Sequence, residues 1–390
     1  MYKVLTLNQI SVKGLDRFPR ESYELASEFS HPDAILLRSH KLQVAEIADS
    51  VRCIGRAGAG TNNIPVGDCT ARGIPVFNAP GANANAVKEL VAAAMLLGSR
   101  GIVEGINYVD TLADVMDEAE LNKTLEAQKK QFKGGELAGR TLGVVGLGAI
   151  GSMVAEMALT LGMDVCGYDP ALSVEAAWRL SSRVQKVDAL ASLFARSDFI
   201  SLHLPVLDST RGLVNDELLQ SVKPGATLLN FARKEIVDTG SVINALDAGK
   251  LKRYITDFPE PMLIGRKDVI LMPHIGASTD EAEENCAMMA ADQIRDFLEN
   301  GNIRNSVNFP TLQLEPGEGV RLAISNENVP RMLGNLLSVL ADENINVIDM
   351  LNKSRDDIAY NLIDVECAPS DAVIEKMCAL EGVINVRLIS

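Results

Sequence analysis

A chain of 390 residues, 47% of them hydrophobic, is long enough for two or three domains of roughly 100–200 residues, each with a core. A formal charge of −15 without a long basic run excludes general nucleic-acid or membrane-surface binding, while leaving room for a local basic pocket. No apolar run reaches the roughly 18 residues of a membrane span. Residues 1–7 read as a first strand rather than a signal peptide. Six scattered cysteines without CxxC spacing read as reduced structural thiols, and four unclustered histidines give no metal site. A soluble cytoplasmic protein is the expectation.

In chain order, residues 34–37, 52–55 and 74–78 read as further strands, the first two as buried parallel strands, and 86–99 as a helix with Leu90, Ala93, Ala94 and Leu97 on one face. Residues 55–60 form a glycine-rich stretch with Asn63 where a dinucleotide fingerprint needs its last glycine, so they read as a loop. The charged stretch 107–130 reads as connecting helix. From 140 to about 275 a second series runs, with strands at 141–145, 164–168, 199–203, 226–230, 254–257 and 269–272. Strands alternating with helices imply doubly wound parallel sheets. A long helix is expected over 279–299, a linker over 309–317, and then a compact β-α-β-β-α-β module with Leu333, Leu336, Leu337 and Leu340 on one helical stripe.

The most informative segment is 141–151. An apolar strand leads into Gly146-Leu147-Gly148-Ala149-Ile150-Gly151, a helix follows, and the next strand ends at Asp169, 23 residues past Gly146. Gly146 permits the tight turn, Gly148 lets backbone approach a pyrophosphate, and Gly151 lets the helix pack closely. The helix N-terminus offers free N–H groups to phosphates, and Asp169 is placed to bind ribose hydroxyls. A bare GxGxxG is weak evidence; the ordered strand, turn, helix, strand and acid point to NAD.

Three later strand ends carry Arg233, Glu260 and His274. Ligands of open α/β sheets bind beyond the carboxyl ends of the strands. Oxidising a hydroxy acid needs a base for the hydroxyl proton, and a histidine suits it because its pKa lies near operating pH. A carboxylate on its other nitrogen orients the ring and stabilises the imidazolium. Those roles fall to His274 and Glu260. Arg233 would grip a carboxylate bidentately, and Asp257 would bind the nicotinamide carboxamide. Singly each residue also fits a structural role; together they make a constellation. His203, ending an earlier strand, reads as a cofactor-side or structural residue.

These motifs place the chain beside a known family. GVVGLGAIG (143–151), HLPVLDSTRGLVN (203–215), LLNFAR (228–233) with Val237 and Asp238, DFPEP (257–261) and PHIGAST (273–279) resemble the D-isomer-specific 2-hydroxyacid dehydrogenases over nearly the whole length. The resemblance implies a flavodoxin-like substrate domain of residues 1–100 and 290–310. A Rossmann nucleotide domain (101–289) would be inserted in it, and an ACT-like α+β domain (317–390) would follow. It implies a homodimer or homotetramer and NAD-dependent oxidation of 3-phosphoglycerate to 3-phosphohydroxypyruvate in serine biosynthesis. Carried over by motif, Arg56, Gly58, Asn83 and Ala84 belong to the substrate site, Arg56 near the phosphate and Arg38 assisting. Gly148, Ala149, Ile150, Asp169, Pro205, Thr210, Ala232, Asp257, Gly276 and Ala277 would line the cofactor site. In the ACT-like domain Asn328 and Asn346 match effector positions, with Asn326 standing where a histidine is common. An L-serine effector stays open beside a purely structural module, because Arg331 replaces a glycine that lets the ligand approach. Lys234 likewise replaces the glycine that usually follows the substrate arginine. Two alternatives stay open: another member such as a glyoxylate or hydroxypyruvate reductase, and a non-catalytic NAD-sensing binding protein.

Overall fold

The computed structural model describes residues 1–389. The chain folds into two compact units, Met1–Asn83 with Thr279–Ser390, and Ala84–Ser278.

In the first unit β1 (Tyr2–Leu7), β2 (Tyr23–Ala26), β3 (Ala34–Leu37), β4 (Cys53–Arg56) and β5 (Val76–Phe77) form a parallel sheet in the order β2-β1-β3-β4-β5. The four residues of β3, Ala-Ile-Leu-Leu, are all buried, as a strand covered on both faces requires. The helix Asp280–Asn300 packs on β4. Its N-cap Thr279 accepts from the Ala282 amide, three acids sit in its first turn, and Gly301 ends it in a left-handed conformation.

A four-stranded antiparallel sheet completes this unit: β13 (Val320–Glu327), β14 (Val347–Arg355), β15 (Ile358–Val365) and β16 (Val383–Ile389), ordered β14-β15-β13-β16. Helices Met332–Asp342 and Asp371–Cys378 supply Leu336, Leu340, Val373 and Met377 to one core with Leu322, Ile324, Ile363 and Val365. Ala323, Tyr360, Leu362 and Ile389 join a different core, shared with Phe297 and Phe309. The stretch 309–317 is therefore no free linker. Phe309 and Leu312 are 1% exposed, and Leu312 bridges back to Ile303. Arg321, buried, binds both Asp364 oxygens (2.7 and 2.8 Å) and the carbonyls of Asn300, Leu314 and Glu315. The apolar side chains of this stretch find their partners in strands lying after it in the chain.

In the second unit β6 (Thr141–Val145), β7 (Asp164–Tyr168), β8 (Gln185–Lys186), β9 (Phe199–Leu202), β10 (Ala226–Asn230), β11 (Leu251–Thr256) and β12 (Val269–Leu271) form a parallel sheet. Its order is β12-β11-β10-β9-β6-β7-β8. Helix Ala84–Ser99 buries Val87, Val91, Ala94 and Met95 with Leu142, Val154 and Phe199. The unit boundaries thus fall at 83/84 and 278/279, not at 100/101 and 289/290. Each boundary helix goes with the sheet that buries its apolar face.

Candidate active site

The strand order reverses at β6, whose neighbours are β7 and β9, so the loop after β6 opens at the switch point of the sheet. Gly146 has φ +90°, and a Cβ there would lie 2.5 Å from the His203 carbonyl oxygen. A Cβ on Gly151 would overlap the Gly146 carbonyl. Gly148, the N-cap of helix Ala149–Thr160, has open space where its Cβ would stand. Two glycines serve the protein's own packing, and the third leaves the helix N-terminus approachable by a pyrophosphate. Asp169 accepts from the Leu147 amide (2.8 Å) and the Ala171 amide (2.9 Å), which brings its carboxylate to the fingerprint turn. The residues present fit a dinucleotide.

His203 shares a hydrogen with the Ser201 hydroxyl through Nε2 (2.8 Å), while its buried Nδ1 has no partner. Burial pushes its pKa down to about 3, so it is a neutral ring and offers phosphates no positive charge. Thr210 donates to the Pro205 carbonyl (2.6 Å) and accepts from the Leu207 amide (2.8 Å), closing that loop on itself.

Two buried polar residues hold the loops that carry the chemistry. Asn230, fully buried at the end of β10, accepts from the Ala232 amide (3.2 Å) and donates to the Arg233 carbonyl (2.9 Å). Its own carbonyl accepts from the Asp257 amide (3.2 Å). Asp257, 2% exposed after β11, accepts from the Ile275 amide (2.8 Å) and the Gly276 amide (2.7 Å). Both of its oxygens thus clamp the turn containing His274, which has φ +59°. Beside the carboxamide contact expected of it, Asp257 therefore has a positional role. Sequence reasoning passed over Asn230; the signal was an amide ending an otherwise apolar strand, Ala-Thr-Leu-Leu-Asn.

The constellation is only partly assembled. The Arg233 side chain is exposed and bonds only to the neighbouring Ala232 carbonyl (2.7 Å), leaving its charge without a carboxylate partner among the described residues. Glu260 accepts from the Thr239 hydroxyl at 2.6 Å. His274 lies edge-on to Phe258, ring centroids 5.0 Å apart. The expected Glu260–His274 pair is therefore not made: a nearer hydroxyl has taken the carboxylate, and the imidazole rests on an aromatic ring.

In the first unit Arg56 donates through Nε to the Arg38 carbonyl (3.1 Å), and its guanidinium crosses Gly58 where any Cβ would collide. Arg38 is ion-paired with Glu283. Asn83 ends the first segment of this unit, and Ala84, buried, is the first residue of the other.

The effector positions divide. Asn326 is 2% exposed, accepts from the Asn361 amide group (2.7 Å) and donates to the Glu327 carbonyl (2.6 Å). Its side chain is absorbed into the sheet. Asn328 donates to the Asp356 carbonyl (3.0 Å), and Asn346 is exposed. Arg331 has φ +73°, a conformation that suits the glycine it replaces.

Residues 106–276 match the D-isomer specific 2-hydroxyacid dehydrogenase, NAD binding domain. The chain is 33% identical to the D-3-phosphoglycerate dehydrogenase of Haemophilus influenzae, across 98% of this chain and 93% of that one. It is 34% identical to that of Methanocaldococcus jannaschii, across 84% of this chain and 61% of that longer one. The NAD+-bound 3-phosphoglycerate dehydrogenase of Entamoeba histolytica superposes with a TM-score of 0.60 at 28% identity, covering 80% of this chain and 99% of that one.

Proposed function

The chain belongs to the D-isomer-specific 2-hydroxyacid dehydrogenase family, and we propose that it oxidises D-3-phosphoglycerate to 3-phosphohydroxypyruvate with NAD, the oxidation that feeds L-serine synthesis. The observation that carries the reading is the set of loops after β10, β11 and β12, where Asn230 and Asp257 hold Arg233 and His274 on the sheet that bears the fingerprint. NAD, when bound, accepts the hydride from the hydroxyl-bearing carbon. His274 removes the hydroxyl proton, and Glu260 supports the imidazolium that results. Arg233 holds the substrate carboxylate in a bidentate pair. Arg56 recognises the phosphate, with Gly58, Asn83 and Ala84 beside it. Asp169, followed by the uncharged Pro170, favours NAD and repels a 2′-phosphate.

Two assembly features belong to the same reading. A second copy adds to the free edge of β14, a nine-residue strand with one neighbour in its sheet. L-Serine, if it acts here, is held through Asn328 and Asn346 rather than the buried Asn326. A cytoplasmic site of action fits as well, and among the described residues no helix is long and apolar enough to cross a membrane.

Initial rates with 3-phosphoglycerate, 3-phosphohydroxypyruvate, glyoxylate and hydroxypyruvate, each with NAD(H) and NADP(H), test the proposal. The expected result is preference for the phosphorylated pair and for NAD(H). Higher kcat/KM for glyoxylate or hydroxypyruvate would move the chain to a reductase. NAD binding without turnover of any substrate would make it a sensing protein.

A further inference from the structure

We infer that Thr239 is a positioning residue that holds the Glu260 carboxylate away from His274, and so sets the pH range over which the base works. The inference rests on the dehydrogenase reading above. Thr239 is the first residue of helix Thr239–Asp247. The N-cap Asp238 spends its carboxylate on the Ser241 amide (2.9 Å). The Thr239 hydroxyl donates to Glu260 Oε1 at 2.6 Å, a short charge-assisted bond. The first turn of the helix adds a partial positive charge beside that carboxylate. Glu260 Oε2 has no hydrogen-bond partner among the described residues, so the acid is anchored by one oxygen with the other in reserve.

An imidazolium at His274 must compete with this anchor for Glu260. The stronger the anchor, the less the carboxylate stabilises the charged ring, and the lower the pH at which His274 becomes a free base. Other titratable groups on these strand ends and loops are committed elsewhere or lie exposed. Asp257 binds the Ile275 and Gly276 amides, and Asp238 caps its own helix. Tyr254 is buried and keeps its proton, burial raising its pKa. Arg233 and Lys234 are exposed beyond β10. Changing Thr239 therefore alters the hold on Glu260 and leaves the surrounding charges in place.

The test compares Thr239→Val with Thr239→Ser in the full-length protein. The pH dependence of kcat/KM is measured for 3-phosphoglycerate oxidation at saturating NAD. An NMR titration of the His274 ring in the same variants reads the effect without turnover. Valine removes the hydroxyl at nearly constant volume. The acid limb of the profile and the ring titration should both move to higher pH, by about half to one unit. Serine restores the donor and should keep the wild-type profile. An unchanged or downward-moving titration in Thr239→Val overturns the inference, as does an equal shift in Thr239→Ser. A wild-type protein that turns over no hydroxy acid counts against the proposed function, while the ring titration still decides the role of Thr239.

Discussion

Two turns at the carboxyl edge of the seven-stranded sheet pass through left-handed backbone, one at Gly146 after β6 and one at His274 after β12. They solve opposite problems. At Gly146 no side chain fits, because the His203 carbonyl stands where a Cβ would be. At His274 the side chain is the purpose of the turn. A left-handed conformation costs a non-glycine residue roughly 1–2 kcal/mol. Asp257 offsets this with two charge-assisted bonds to the following amides, each of the kind that contributes about 1.5–3 kcal/mol. Cofactor binding calls for backbone without a side chain, whereas proton transfer calls for a side chain that the backbone would not hold unaided.

The largest effect should come from removing that side chain. His274→Ala should lower kcat by about 10²–10⁴ while calorimetry shows NAD affinity nearly unchanged. Near-normal turnover in the folded variant would end its role as the base. Asp257→Asn comes next. An asparagine amide presents one acceptor oxygen, so one of the Ile275 and Gly276 amides loses its partner. A fall in kcat of about 10² is expected, from misplacement of His274 rather than loss of its chemistry. Thermal unfolding should show a cost of about 1–3 kcal/mol. Wild-type kcat with only a raised KM for NAD would instead mark Asp257 as a cofactor contact.

Gly146→Ala attacks the other turn. The new methyl must displace the His203 carbonyl from a φ that alanine disfavours, an overpacking cost of about 1–3 kcal/mol. The dissociation constant for NAD should rise roughly 10- to 100-fold, with kcat at saturating NAD changed less than in Asp257→Asn. An unaltered dissociation constant would show that the turn can relax.

The smallest effect concerns His203, the residue that Gly146 approaches. Its folded-state pKa of about 3 lies below the ordinary value of 6.5. As pH falls from about 6.5 toward 3, the unfolded chain takes up a proton that the folded protein refuses, so stability is lost across that window. Partial exposure of the residue limits the loss to on the order of 1 kcal/mol at pH 5. Urea unfolding at pH 8 and pH 5 should show a smaller difference for His203→Asn than for wild type. Equal differences would mean that the ring is protonated in the folded state.

The same contrast governs what could be read from residues alone. The strands 141–145, 164–168 and 226–230 were legible to the residue, because buried parallel strands are short apolar runs. Edge strands Tyr23–Ala26 and Gln185–Lys186 were not: neither carries an apolar run, and they exist because a neighbouring strand offers an edge. The Pro- and Glu-containing stretch 309–317 resembled a linker. Phe309, Leu312 and Leu314 are nonetheless core residues, because Tyr360 and Ile389 return from later in the chain to cover that region. Asp257 and Glu260 were recognised as important, and their partners were not.

The amino-acid sequence by itself determined the fingerprint turn, the strand-ending positions of Arg233, Glu260 and His274, and the β-α-β-β-α-β order of the last module. Each depends on glycine spacing, hydrophobic period or capping within a few residues. The tertiary structure alone decided that Thr239 holds Glu260, that Asp257 clamps the His274 turn, and that Glu283 pairs with Arg38. Those bonds join residues 21, 18 and 245 positions apart. Which donor reaches a carboxylate first depends on how neighbouring strand ends and helices pack, and no local periodicity records that.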